Sequence, residues 1–192
     1  MSEGFTSDIL INAYSQGYFP MAEEEGDIYW HCPDPRAIIP LENIKKPRSL
    51  TKYSRKNDFN YSVNSDFEFV IRACSDRQET WISDEIIEVY LDLHRKGFAH
   101  SVETWSGEKI VGGLYGISLG GAFFGESMFN TENDAAKAAF YYLAEYLKSR
   151  GFILLDSQYI NPFTEQLGAV EILKDEYMKK LEQALIIPTR FD

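Results

Sequence analysis

Cysteine is scarce in this chain: two in 192 residues, Cys32 and Cys74, without C-x-x-C spacing. That excludes a disulfide-stapled scaffold and argues against a zinc site, so two reduced thiols and no metal are expected. Histidine is nearly as rare; His31, His94 and His100 are scattered and form no H-E-x-x-H pair. The G-x-S-x-G elbow and the G-x-x-x-x-G-K-[ST] loop are missing as well, which removes the usual serine-hydrolase and phosphate-loop chemistries. No apolar run approaches the roughly 20 residues of a membrane span, and the start MSEGFTSDIL lacks the basic end and apolar core of a signal peptide. A cytoplasmic protein without a membrane partner, monomeric by default, is expected.

Positive charge is also in short supply, with 19 Lys and Arg against 30 acids and a net charge of −11. At face value that disfavours nucleic acid, whose phosphates are bound by Lys and Arg. The distribution is uneven. Residues 1–42 hold eight acids and one base, residues 43–57 (NIKKPRSLTKYSRKN) six bases and no acid, and the remainder 22 acids and 12 bases. The island Lys45, Lys46, Arg48, Lys52, Arg55 and Lys56 reads either as a solvated surface loop or as a phosphate-contacting strip, and composition does not choose between them.

What is present is a foldable core: 44% hydrophobic and 15% aromatic residues. SDILINAYSQG has a helical apolar face, with Ser7 as N-cap and Gly17 as stop. NSDFEFVIRACSD places Ser65 and Glu68 in capping-box spacing, and a further helix starts at Ser83 and stops at Gly97. From Ala99 the apolar period shortens to two, and HSVETW, KIVGGLYGISLG and GAFFGESMF read as a three-stranded meander. NDAAKAAFYYLAEYLKSRG is a helix ending at Gly151. A strand beginning at Phe152, a short helix near residues 165–171 and a last helix near 175–184 follow. The class is therefore α+β, with a boundary near residue 62 separating a small N-terminal α/β domain, 1–62, from a larger one, 63–192.

Acids in apolar settings carry the chemistry. Glu126 interrupts FFGESMF, and Asp156 follows the apolar run FILL with Gln158 two residues on. A buried carboxylate is costly unless paired, so each requires a structural partner or a functional reason. On an extended strand Asp156 and Gln158 share a face.

Taken together, GGLYGISLGGAFFGESMF, DAAKAAFYYL, GFILLDSQYINPFTEQLGA, AYSQGYFPM, PDPRAIIPL and TWIS resemble the leucyl/phenylalanyl-tRNA–protein transferase family, from about Ile9 to Ile172. The resemblance implies transfer of leucine or phenylalanine, or methionine, from aminoacyl-tRNA to the N-terminal Lys or Arg of a protein, creating a degradation signal. It implies no cofactor and a GNAT-like C-terminal domain of meander, helix and strand. It also implies that Asp156 and Gln158 are the catalytic pair, with Asp156 polarising Gln158 or drawing a proton, and that Glu126 is the acid beside the substrate. Trp81 then flanks the terminal adenosine. Leu114, Phe123, Met128, Leu143 and Leu155 line the pocket for the donor side chain, and the basic island contacts tRNA. Met21 stands where many members carry a second adenine-contacting tryptophan; His31, Phe163 and Gln166 also depart from the usual residues. The alternatives are another aminoacyl-tRNA-dependent peptide ligase, or a non-catalytic binder of basic protein N-termini.

Overall fold

Thr6, Asp66 and Ser83 open three of the helices, and each does so by accepting a backbone N–H that the first turn leaves unpaired. The computed structural model describes residues 5–22, 27–77 and 80–192, so the acidic run at 23–26 lies outside the described residues. In chain order the elements are helix α1 (Ser7–Ser15), strands β1 (Phe19–Ala22), β2 (Ile28–His31) and β3 (Arg36–Ile38), helix α2 (Arg48–Lys56) and strand β4 (Phe59–Val63). Helices α3 (Phe67–Ser75) and α4 (Asp84–Arg95) lead into β5 (Ala99–Ser106), β6 (Lys109–Leu119) and β7 (Ala122–Asn130). Helix α5 (Ala135–Arg150), β8 (Leu154–Gln158), α6 (Pro162–Gln166), β9 (Val170–Ile172) and α7 (Lys174–Leu185) complete the chain.

Local chemistry explains where these elements differ from expectation. The Ser7 hydroxyl is taken by Asp92 at 2.6 Å, so Thr6 caps α1 instead. Asp66 caps α3 by accepting from Phe69, while Glu68 pairs with Arg72 at 2.8 Å rather than reaching back to Ser65. The basic island is helical from Arg48 to Lys56, where a loop was one of the expected readings, and Lys45 and Lys46 lie in the segment before the helix. Asn161 caps α6 with Pro162 in the first turn, which pulls that helix upstream of its expected place and frees residues 170–172 to pair as a strand.

The sheet order is β4-β5-β6-β7-β8-β3-β9, and β1 and β2 form a separate hairpin. All neighbours are antiparallel except β7 and β8. The boundary expected near residue 62 falls inside β4, and β3 and β4 lie in the same sheet as the later strands. Adjacent residues feed opposite faces: Phe124 and Leu154 pack in one buried cluster with α1, α3, α4 and α7, whereas Phe123 and Leu155 pack in the other with α5. Helix α5 lies close against the sheet because small residues meet there. A Cβ on Gly112 would stand 2.6 Å from that of Ala135. Gly151 closes α5 with φ of 80°, in the left-handed region that glycine enters freely.

Candidate active site

Strands β7 and β8 pair only from Ala122 to Phe124 against Leu154 to Asp156, although β7 runs on to Asn130 and β8 to Gln158. Beyond Phe124 and Asp156 the two strands part. A cavity of about 1120 Å³ opens there, lined by Glu126, Met128, Asp156 and Gln158 from the parting strands, and by Leu114, Leu143 and Leu155 below them. Its size lies slightly above the range of ordinary ligand pockets, roughly 300–1,000 Å³.

A β-bulge aims the acid. Tyr115 pairs with Ser127 but Gly116 pairs with Gly125, leaving Glu126 as the extra residue of β7. The bulge also resets the strand's alternation, so Phe123 and Met128 face the same cluster although five positions apart. Across the gap the Gln158 side-chain amide donates to Glu126 Oε1 at 3.0 Å. Tyr14 donates to the same oxygen at 2.7 Å, and its hydroxyl lies 2.7 Å from that of Tyr90. Oε2 of Glu126 is shut off from solvent and has no partner among the described residues. Burial pushes the Glu126 carboxyl up to about 7, although the Tyr14, Gln158 and Tyr90 groups pull the other way. Burial likewise raises the Tyr14 and Tyr90 phenols well above their ordinary value.

Asp156 is differently placed from Glu126. Its carboxylate accepts from Arg36 Nε at 3.0 Å, Arg36 Nη2 at 2.7 Å, the Tyr177 hydroxyl at 2.7 Å and the Gln158 backbone N–H at 2.8 Å. The expected pairing of Asp156 with the Gln158 side chain is therefore not formed; the bond runs to the backbone. Burial opposes the Arg36 charge, but the Asp156 carboxylate more than offsets it and holds the guanidinium firmly protonated.

Of the other expected pocket residues, Trp81 and Met21 also line the cavity. Phe123 does not. It lies in the paired part of β7, fully buried, and stacks on Phe191 at 5.3 Å between ring centres. Phe163 forms part of the cavity wall, whereas Gln166 accepts from Lys137 at 3.4 Å on the surface. His31 contacts the Tyr159 hydroxyl at 3.0 Å. The basic residues Lys45, Lys46, Arg48, Lys52, Arg55 and Lys56 lie outside the cavity, and none forms an ion pair among the described residues. Both cysteines are free thiols.

Sequence reasoning missed Arg36, Tyr177, Tyr14 and Tyr90 as parts of the site. Tyr14 and Tyr90 lie in two of the expected helices, and a buried phenol needs a partner, which is a usable signal. Arg36 is the single base among 42 residues carrying eight acids, a second signal of the same kind.

An acid near neutrality and an amide, meeting in the wall of a largely apolar cavity, suit an enzyme that holds an apolar acyl group and delivers it to an amine. The comparisons sharpen that class. The family model "Leucyl/phenylalanyl-tRNA protein transferase" matches residues 38–182, and the model of that family's N-terminal domain matches residues 4–34. The leucyl/phenylalanyl-tRNA–protein transferase of Gloeobacter violaceus is 50% identical over 97% of both chains, and that of Chlorobaculum tepidum 52% identical over 92% of this chain and 93% of its own. The solved structure of L-PGS from Bacillus licheniformis aligns with TM-score 0.46 and 14% identity, over 81% of this chain and 51% of that one. This chain belongs to the leucyl/phenylalanyl-tRNA–protein transferase family.

Proposed function

We propose that the chain transfers leucine or phenylalanine from its charged tRNA to the α-amine of a protein with N-terminal Arg or Lys, creating a degradation signal. The observation that carries this reading is the Gln158–Glu126 hydrogen bond in the wall of the cavity. An aminoacyl ester whose side chain fills the apolar part, against Leu114, Met128, Leu143 and Leu155, presents its carbonyl near that bond. Trp81 and Met21 then border the terminal adenosine, a face suited to stacking.

The amine's nitrogen forms the new bond to the ester carbon, and the C–O bond to the ribose breaks. The proton released must reach the departing ribose oxygen. Asp156 is a poor carrier, since its two oxygens already accept four donors. Glu126 is better suited. It lines the cavity and accepts from the neutral donors Tyr14 and Gln158, and a pKa of about 7 lets it take a proton from the amine and return it to oxygen at neutral pH. Gln158 holds Glu126 by one amide hydrogen and has a second for the substrate.

The meander, helix and returning strand, with β7 and β8 parallel and then parting, support a GNAT-like reading of residues 63–192. The reading places the chain as a monomer in the cytoplasm, where charged tRNA is made. Among the described residues no helix is long and apolar enough to cross a membrane. Incubation with Phe-tRNA and a labelled peptide beginning with Arg tests the reading. Labelled Phe-Arg-peptide is the expected product; its absence, with the peptide bound all the same, would favour a mere binder of basic N-termini.

A further inference from the structure

Gln158 stands at the reacting end of the site with φ of 64°, in the left-handed region that a residue with a side chain enters at a cost of about 1–2 kcal/mol. Such a conformation persists only where its surroundings impose it. Here the Asp156 Oδ1 atom accepts the Gln158 N–H at 2.8 Å, closing an Asx-type turn two residues long. That turn ends β8 and swings the Gln158 amide towards Glu126. Asp156 can close it only if its own orientation is fixed.

Two residues fix it from distant parts of the chain. Arg36, at the start of β3, is 1% exposed and offers its planar fork to both oxygens of Asp156. The remaining Arg36 nitrogen, Nη1, donates to the Gly17 carbonyl at 2.9 Å, and the guanidinium lies between the Phe19 and Tyr177 rings, 4.6 and 4.7 Å from their centres. Tyr177, on α7, adds its hydroxyl to Asp156 Oδ2 at 2.7 Å. Strand β3, the last helix and the strand bearing Gln158 thus meet on one carboxylate.

We propose that Arg36 and Tyr177 are positioning residues for acyl transfer: by locking Asp156 they hold the Gln158 turn, and through it the amide that contacts Glu126. This rests on the function proposed above. Asp156 thereby serves as an anchor for the backbone, and the rate depends on Arg36 and Tyr177 although neither touches the substrate. A merely structural ion pair would stabilise the fold and leave the chemical step alone.

Tyr177→Phe separates the two, because it keeps the ring over Arg36 and removes one hydrogen bond to Asp156. Transfer of phenylalanine from Phe-tRNA to an Arg-peptide is measured for the wild type, Tyr177→Phe, Gln158→Ala and the double variant. The expected result is a fall in kcat of roughly tenfold or more for Tyr177→Phe, from misplacement of the reacting groups, with KM for Phe-tRNA within about twofold. The double variant should then be no slower than Gln158→Ala, as for residues acting through one another. A wild-type kcat in Tyr177→Phe, or losses that multiply in the double variant, would overturn the proposal. Hydrogen exchange at the Gln158 amide tests it without substrate: Tyr177→Phe should speed that exchange about tenfold while the β6 amides keep theirs, and unchanged protection at Gln158 would count against it. Wild-type protein with the protected amide but no transfer would sink the proposed function and spare the clamp.

Discussion

Glu126 and Asp156 sit on neighbouring strands, and their opposite environments divide their roles. Asp156 has its charge matched by Arg36, whereas Glu126 receives only neutral donors and is held near 7 by burial. Its folded pKa therefore lies above the ordinary value of 4.5, so its favourable contribution is complete below about pH 4.5 and is lost as pH rises through 7. The cost at alkaline pH is on the order of 2–3 kcal/mol once water in the cavity is allowed for. Glu126→Gln keeps size and hydrogen-bonding capacity and removes the titration. It should match the wild type in Tm near pH 4.5 and exceed it at pH 8 by roughly 4–12 °C, while transfer is lost. Thermal scans at the two pH values decide; a Tm difference independent of pH would mean that Glu126 ionises as an ordinary surface acid. The acid itself was legible in FFGESMF, because a carboxylate among phenylalanines asks for an explanation. Arg36 and Tyr177 were not legible as its neighbour's partners, since they lie 120 residues before and 21 after Asp156 and no local period links them.

Among the elements, those with a strong period stood where the sequence put them: the meander β5 to β7 and helix α5. Those shaped by a single side-chain choice shifted, as when Asn161 capped α6 early or Asp92 took the Ser7 hydroxyl from its capping role. The parting of β7 from β8 left no mark that a two-residue period could show, because it depends on pairing between separate segments. Phe123, which the resemblance put in the pocket, lies in the stretch that is still paired and is buried in the core. Of the expected pocket walls, Leu114 is the one to fill. It lines the cavity from β6, where an added ring would shorten the space for the donor side chain. Leu114→Trp should lose phenylalanine transfer before leucine transfer, with discrimination of about 1–3 kcal/mol per misfit group, or roughly 10–200-fold in relative kcat/KM. Equal loss of both donors would place Leu114 in the core rather than in the wall.

Over the whole molecule, charge is arranged by segment more than by total. A chain of net charge −11 should repel tRNA, yet its basic, acid-free run forms α2 and the segment before it, where Lys45, Arg48, Lys52, Arg55 and Lys56 are exposed and Lys46 lies partly buried over the Tyr61 ring at 5.3 Å. Cations without acidic partners are free to displace the counterions of phosphates, and such displacement makes binding salt-dependent. The acids elsewhere act at longer range and are screened within about 8–10 Å at physiological salt, so they set the on-rate at low salt more than the affinity. If α2 binds the tRNA backbone, replacing Lys52, Arg55 and Lys56 with glutamine should lower the slope of log affinity against log salt by roughly 0.7–0.9 for each phosphate no longer neutralised. Tyr61, which carries Lys46, is left intact by that triple change, so weaker binding could not be blamed on its packing. Affinity for uncharged tRNA, titrated from about 50 to 300 mM salt, reads the slope directly. A weaker complex with the same slope would mean that the helix supports the fold of the site and that phosphates are held elsewhere.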